Sequence, residues 1–191
     1  TRNPHVQVLT PLGIAAYFTA PYFASYTPLT LLSHALDVQW WGLNPRGHHL
    51  TSIVLHSLNA VWVFFLIIAL AANGAERRIS GGALLFGGAA GALLYALHPL
   101  RVEAAVCISA RKDVLCEFFL LLSVLAYIQS IRGEAGTIHR RWHLGAVSLF
   151  LCAMLAKATP LLMPVMLIVL DIIVLRRPWR GKESVSLFVE K

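Results

Sequence analysis

Residues 50–72 read LTSIVLHSLNAVWVFFLIIALAA, a run of 23 residues without a single Asp, Glu, Lys or Arg. A helix of about 20 apolar residues is long enough to cross the hydrocarbon core of a bilayer. We therefore predict a membrane-spanning helix at this position. His56 and Asn59 lie near its start, and because polar side chains are costly in lipid, we expect them to face other helices.

The composition of the whole chain indicates the same class of protein. The 191 residues are 58% hydrophobic, with a mean hydropathy of +0.69, whereas soluble domains are about 45–50% apolar. The formal net charge is +7, but the basic residues stand at the ends of apolar segments, where they set topology and meet lipid headgroups. We therefore expect membrane lipid as a partner and no nucleic acid.

The spacing of the apolar runs predicts an all-α integral membrane protein with about five transmembrane helices, preceded by two short interfacial amphipathic helices. The interfacial helices are expected at 10–20 and 27–41, and the spans at 50–72, 81–97, 114–131, 142–156 and 161–175. A capping residue followed by proline marks several helix starts, as at Thr27-Pro28. Small residues such as Gly87 and Gly91 in the second span favour close helix packing.

The distribution of basic residues predicts the orientation. Segments 73–80, 132–141 and 176–182 hold nine Lys and Arg residues, against six on the other side, so these segments are expected in the cytoplasm. Three regions are expected: an external interfacial part at 1–49, the transmembrane bundle at 50–182, and a tail at 183–191 leading to a further region of a longer protein. Trp40 and Trp41 are expected at headgroup depth on the non-cytoplasmic side.

A charged stretch follows the second span at residues 98–115, HPLRVEAAVCISARKDVL. Ionisable groups at the mouth of a membrane bundle are costly, which points to function. Arg101 and Arg111 in this stretch, and Lys157 between the last two runs, are expected in one zone at the membrane edge. Arg offers a planar fork for phosphate oxygens and Lys a point charge. The pattern therefore favours a pocket for a phosphate that is attached to a lipid.

The alternative interpretation is that these are ordinary surface charges with local partners, Arg101 with Glu103 and Arg111 with Asp113. We expect Asp113 to be paired with Arg111 or Lys112, or to cap the third span. We also expect Lys157 to lie beside Arg111 with too few carboxylates nearby to neutralise both cations. Such unrelieved charge would be stabilised by a bound anion.

Histidines in the first half of the chain raise the question of a metal. His34 and Asp37 are three residues apart on a predicted helix, a spacing that suits metal ligands. No H-E-x-x-H pattern, nucleophile elbow, phosphate-binding loop or dinucleotide fingerprint occurs. Capping and interfacial hydrogen bonding are the favoured interpretation, and we predict neither a metal site nor a cofactor.

Several blocks resemble the tetratricopeptide-repeat-containing membrane O-mannosyltransferase-like family, within the C-type membrane glycosyltransferase superfamily. These blocks cover nearly the whole chain. They are YTPLTLLSH at 26–34, GLNPRGHHLT at 42–51, HPLRVEA at 98–104, RKDVL at 111–115, and LAK at 155–157 ahead of Pro164 and Asp171. The chain departs from the family at Ala110, where Glu is usual, and at Ala158-Thr159, where Pro or Gly is commoner after the lysine.

The resemblance implies transfer of a sugar, mannose above all, from a polyprenyl-phosphate donor to protein Ser or Thr hydroxyls on the non-cytoplasmic face. It implies that Arg111 and Lys157 neighbour the donor phosphate, to which we add Arg101. His98, Glu103 and Asp113 are expected in support. The acidic catalytic pair of the family is expected N-terminal to residue 3, outside this chain, so the catalytic residues here are unknown.

Three functions follow from these observations. The first is part of a glycosyltransferase in the bacterial inner membrane, or in the endoplasmic reticulum membrane of a eukaryote. The second is a non-catalytic membrane scaffold that presents tetratricopeptide repeats to a partner. The third is a lipid-carrier transporter, which should show internal repeat symmetry; the sequence shows none.

Overall fold

The computed structural model describes residues 9–19, 26–74, 79–131 and 139–174, and every element in these ranges is helical. The predicted all-α class is confirmed for this part of the chain. The α-helices are α1 Pro11–Thr19, α2 Pro28–Trp41, α3 Pro45–Gly74, α4 Gly81–Leu97, α5 Pro99–Val106, α6 Arg111–Ser130, α7 Arg140–Ala156 and α8 Met163–Val169. Two 3₁₀ turns, Ile108–Ala110 and Thr159–Leu162, precede α6 and α8, and a π-helical turn, Leu170–Val174, follows α8.

The helix boundaries follow local sequence chemistry. Proline occupies the first turn of α2 and of α5, where its missing N–H costs nothing. The Ser80 side chain caps α4 by accepting a hydrogen bond from the Ala83 N–H. Thr27 precedes α2 as predicted but makes no capping hydrogen bond with its side chain. Gly42 ends α2 with a φ of 60°, a conformation that favours glycine.

Two helical stretches, Pro45–Ala72 and Ile108–Ser130, are long and apolar enough to cross a membrane. The apolar segments Gly81–Leu97 and Thr159–Ile172 are shorter, and the predicted count of five spans is not confirmed. The first span begins at Pro45, five residues before the predicted start, because the turn at Gly42 leads directly into α3. The predicted last span, 161–175, is helical from Thr159 to Val174, with 3₁₀, α-helical and π-helical turns in succession.

The core lies where α6 packs against α3 and α7. One buried cluster contains Leu115 and Cys116 of α6 with Ala153 and Ala156 of α7. Alanine on α7 lets the two helix backbones approach closely, as is typical of helices packed in membranes. The Ser123 hydroxyl of α6 donates a hydrogen bond across this interface to the Ala146 carbonyl, at 2.8 Å.

Helix α4 packs on α3 through glycines. A Cβ atom added at Gly88 would lie 3.0 Å from Phe64, and one added at Gly91 would collide with the Ile67 side chain. A Cβ atom at Gly87 would meet nothing within 4 Å. Close approach therefore involves Gly88 and Gly91, while Gly87 of the predicted pair faces away from the contact.

Large apolar side chains cover the outside of the described bundle. Phe86 is 78% exposed and Leu94 is 73% exposed on α4, and Met166 is 70% exposed on α8. Contiguous apolar surface of this kind is unfavourable in water and suits contact with lipid tails. Trp40 and Trp41, at the end of α2, are 71% and 42% exposed, which is compatible with the predicted interfacial position.

Candidate functional site

Polar residues gather at one end of the bundle, formed by the starts of α3 and α6 and the ends of α4 and α7. We call this the polar end. Helix α2 lies across it, in contact with α3, α6 and α7. The Thr30 hydroxyl of α2 donates a 3.0 Å hydrogen bond to the carbonyl of Ala156, the last residue of α7. The predicted external helix is therefore packed onto the bundle.

Arg111, the first residue of α6, is fully buried at this end. Its Nη2 lies 2.7 Å from Asp37 Oδ2 and donates to the His48 carbonyl at 2.5 Å, while its Nε donates to Ser52 Oγ at 2.8 Å. The exposed fractions of Arg111 and Asp37 are 0% and 1%. A buried charge needs this kind of pairing. In this arrangement the guanidinium neutralises a carboxylate of its own protein.

Two histidines flank the same carboxylate. His48 Nδ1 lies 3.3 Å from Asp37 Oδ2, and His48 Nε2 lies 3.1 Å from the Gly42 carbonyl oxygen. The Thr51 hydroxyl donates to Asp37 Oδ1 at 2.8 Å. Burial, followed by the nearby Arg111 charge, lowers the pKa of His34 to about 4, so its ring is neutral at neutral pH.

Lys157 caps the end of α7, and its Nζ contacts Asp113 Oδ1 in the first turn of α6. The two side chains are 31% and 36% exposed. Asp113 is therefore paired, as predicted, but its partner is Lys157 and not Arg111 or Lys112. The expectation that too few carboxylates lie nearby to neutralise both Lys157 and Arg111 is wrong, because each cation has its own carboxylate partner.

Arg101 on α5 pairs with Glu117, one helical turn after Asp113 on α6. Its Nη1 lies 3.1 Å from Glu117 Oε2, and the Tyr95 hydroxyl donates to the same oxygen at 2.8 Å. The guanidinium carbon also lies 5.6 Å from the centre of the Tyr95 ring. The alternative interpretation paired Arg101 with Glu103, but in the structure its partner is Glu117.

The remaining predicted residues have smaller roles. His98 is exposed between α4 and α5, and its side chain does not cap α5. Glu103 is exposed on α5. Neither of these side chains has a described contact with the ion pairs of α6.

Sequence reasoning missed several residues of this site. Asp37 had been noted for its spacing from His34, but nothing in the sequence linked it to Arg111. Tyr95 and Ser52 belong to no motif, and their roles follow from the tertiary packing of α3, α4 and α6. The four-residue spacing predicts that Glu117 lies on the same face of α6 as Asp113. The sequence does not predict that Arg101 is the partner of Glu117.

The site therefore presents two partly exposed ion pairs on one face of α6, a helical turn apart. Each cation retains N–H donors, since a lysine has three and an arginine five. The start of α6 has no side-chain cap, and the positive end of the helix dipole favours a negative charge there. An anion on this face of α6 would meet N–H donors from Arg101 on α5 and from Lys157 at the end of α7.

The chain has relatives among curated proteins. Human protein O-mannosyl-transferase TMTC4 is 30% identical over 177 residues, which cover 87% of this chain and 23% of the relative. Human protein O-mannosyl-transferase TMTC2 is 33% identical, with 80% of this chain and 17% of the relative covered. Mouse protein O-mannosyl-transferase TMTC1 is also 33% identical, with 82% and 17% covered.

This similarity extends over most of the chain but over a small part of each relative. The chain spans about a fifth of the length of these curated relatives. No family model matches it, and no solved structure matches it. The two membrane-length helices, together with the similarity to these relatives, indicate that the chain is a membrane protein. Several curated proteins that share the name protein O-mannosyl-transferase TMTC are 30–33% identical to this chain over most of its length. The chain therefore belongs to the TMTC-like O-mannosyltransferase family.

Proposed function

We propose that the chain forms part of a polytopic membrane glycosyltransferase. In this proposal mannose passes from a polyprenyl-phosphate donor to a Ser or Thr hydroxyl of a protein, on the non-cytoplasmic face. The names of the relatives support mannosyl transfer to protein. The donor class and the active face are those that the family resemblance implies, and the residues involved are inferred from the charges at the polar end.

The observation that carries the proposal is the pair of exposed cations over the start of α6. Lys157 and Arg101 are 31% and 49% exposed in their side chains, so a ligand can approach them from outside. Their carboxylate partners balance their charge without using all of their N–H donors. A phosphate at this point would keep its polar group at the bundle and its polyprenyl chain against the exposed apolar faces of neighbouring helices.

In the proposed reaction the bond between mannose C1 and the donor phosphate oxygen breaks, and a bond from C1 to the acceptor oxygen forms. The polyprenyl phosphate leaves with the bonding electron pair. Lys157 and Arg101 stabilise the negative charge that develops on it. The acceptor proton goes to a carboxylate base, which the family resemblance places N-terminal to residue 3.

Arg111 has an indirect role in this proposal. A direct contact with phosphate would require it to leave Asp37, which would uncover a buried carboxylate at considerable cost. We therefore assign Arg111 to fixing the start of α6 against α2 and α3, and Lys157 to direct phosphate contact. Asp113 orients Lys157, because the two side chains are in contact.

The experiment is a transfer assay with full-length protein in lipid nanodiscs, radiolabelled mannosyl polyprenyl phosphate and a Ser/Thr-rich acceptor polypeptide. The proposal predicts label on acceptor hydroxyls, at least tenfold less with Lys157→Ala, and an unchanged yield with Arg46→Ala, a control at an exposed arginine. A folded protein that binds acceptor but neither binds nor consumes the donor would establish the scaffold instead. Donor movement across the membrane without transfer would establish the transporter.

A further inference from the structure

Three potential metal ligands meet under α2, apart from the exposed ion pairs. One ligand atom each from His34, Asp37 and His48 lies within 4.8 Å of the other two. His34 and Asp37 are one turn apart on α2, and His48 comes from the first turns of α3. Asp37 and His48 are buried, and His34 is partly buried.

The hydrogen bonding of His48 leaves one ring nitrogen directed at a carboxylate. The Gly42 carbonyl accepts only, so Nε2, 3.1 Å away, carries the proton. In the neutral ring Nδ1 then has a lone pair, and it lies 3.3 Å from Asp37 Oδ2. Two lone pairs facing each other in a buried site repel, and a cation or a second proton between them relieves this.

Asp37 retains acceptor capacity for such a cation. Thr51 occupies Oδ1 with a hydrogen bond, whereas Oδ2 accepts no hydrogen bond of good geometry from the described residues, although the Arg111 charge lies close by. A carboxylate offers about four lone-pair positions over its two oxygens. One of these positions can bind a metal ion while the Arg111 guanidinium remains next to another.

We propose that His34, His48 and Asp37 form a binding site for a divalent transition-metal ion of the zinc type. Two imidazoles and one carboxylate suit Zn²⁺ and Co²⁺ and are a poor set for Mg²⁺ or Ca²⁺. The Gly42 carbonyl and the Thr51 hydroxyl are the outer partners that orient such ligands. The ion would clamp α2 to the start of α3, a structural function separate from donor binding.

Two features of the site set the strength of metal binding. Metal–nitrogen bonds of about 2.0–2.1 Å place ligand atoms roughly 3.3 Å apart, so the site must contract slightly from the observed separation. Because Arg111 already balances the Asp37 charge, binding should be weaker than at sites built from cysteine thiolates.

The test uses full-length protein in lipid nanodiscs, without a polyhistidine tag, stripped with chelator and titrated with Co²⁺ alone. Wild-type protein should bind one Co²⁺ per chain with a visible absorption spectrum, and Zn²⁺ should displace it, whereas Mg²⁺ should not. His34→Gln and His48→Gln should each weaken Co²⁺ binding at least tenfold. The matched control is His49→Gln, which changes the neighbouring histidine outside the cluster.

A second measurement does not depend on the variants. X-ray absorption of the wild-type cobalt complex should show two imidazole ligands, and Zn²⁺ should raise the melting temperature of wild-type protein but not of His34→Gln. The proposal is overturned if wild-type protein binds no Co²⁺, if His49→Gln weakens binding as much as His34→Gln, or if the spectrum contains no imidazole.

Discussion

Arg111 of α6 lies 2.7 Å from Asp37 of α2, and neither side chain is more than 1% exposed. This buried ion pair joins the helix expected outside the membrane to the start of a membrane-length helix. Ser52 and the His48 carbonyl accept further hydrogen bonds from the guanidinium. Arg111 Nη1 and Asp37 Oδ2 make no hydrogen bond of good geometry with the described residues, so the pair depends on the attraction between its two charges. Such a buried pair is stable as a unit, but either partner alone is not.

Removing one member of the pair should therefore destabilise the protein strongly. Asp37→Asn leaves the Arg111 charge buried without a counter-ion, so we expect a loss of about 3–5 kcal/mol of unfolding free energy. Denaturant unfolding of full-length protein in micelles measures it. Glu103→Gln, which removes an exposed carboxylate, should have an effect within about 0.5 kcal/mol. Equal stability of Asp37→Asn and wild type would show that the pair contributes nothing.

Because α4 packs on α3 at Gly91 but not at Gly87, substitutions at these two glycines should differ in their effect on stability. Gly91→Val places side-chain atoms against the terminal methyl of Ile67, which can move aside in part, so we expect a loss of about 1 kcal/mol from overpacking. Gly87→Val introduces the same residue into the same helix where nothing lies within 4 Å, and serves as the control. Thermal unfolding of both variants should rank Gly91→Val as the less stable. The reverse order would contradict the described contact.

The buried His34 ring should make stability depend on pH. Its pKa falls from the usual 6.5 to about 4 in the folded protein, mainly through burial. Between these values the unfolded chain binds a proton that the folded chain does not, so stability falls as the pH is lowered through this window. His34→Gln should show a smaller loss of melting temperature between about pH 7 and about pH 5 than wild type. An identical loss in both proteins would refute the assignment, and His139→Gln at an exposed histidine is the control.

The two tryptophans that end α2 should report its depth. Trp40 and Trp41 are expected at headgroup level, because indole rings favour the membrane interface. In variants that retain one of the two as the sole tryptophan, lipids brominated near the headgroup should quench fluorescence more than lipids brominated at the bilayer centre. Equal quenching by both lipids would show that the end of α2 does not lie at headgroup level.

Much of the fold could be predicted because its signals are local. The uncharged run at 50–72 and the prolines that start α2 and α5 depend on short-range sequence chemistry. The change from 3₁₀ to α-helical and π-helical turns between Thr159 and Val174 was not predicted, because hydropathy does not distinguish these helix types. Helix ends that depend on packing are not encoded in composition.

The candidate site could be predicted in part. Charge and position identified Arg101, Arg111 and Lys157, but their partners lie on other helices: Glu117, Asp37 and Asp113. Sequence spacing suggests only partners within one or two helical turns, and it therefore paired Arg101 with Glu103 and Arg111 with Asp113. Which carboxylate meets which cation is decided by how α2, α5 and α7 pack on α6.

Lys157 is proposed to contact the phosphate of a lipid-linked sugar donor. The most direct measurement is equilibrium binding of mannosyl polyprenyl phosphate to full-length protein in nanodiscs, with phosphate-free polyprenol as the reference ligand. We expect Lys157→Ala to weaken donor binding at least tenfold, Lys157→Arg to retain part of the affinity, and Arg46→Ala to bind like wild type, with all four proteins equally folded.

The reference ligand separates phosphate recognition from general affinity for lipid. Polyprenol should bind wild type and Lys157→Ala equally weakly, because it lacks the charge that the ammonium would stabilise. If Lys157→Ala, folded as the wild type is, binds the donor with unchanged affinity, Lys157 does not contact the donor phosphate.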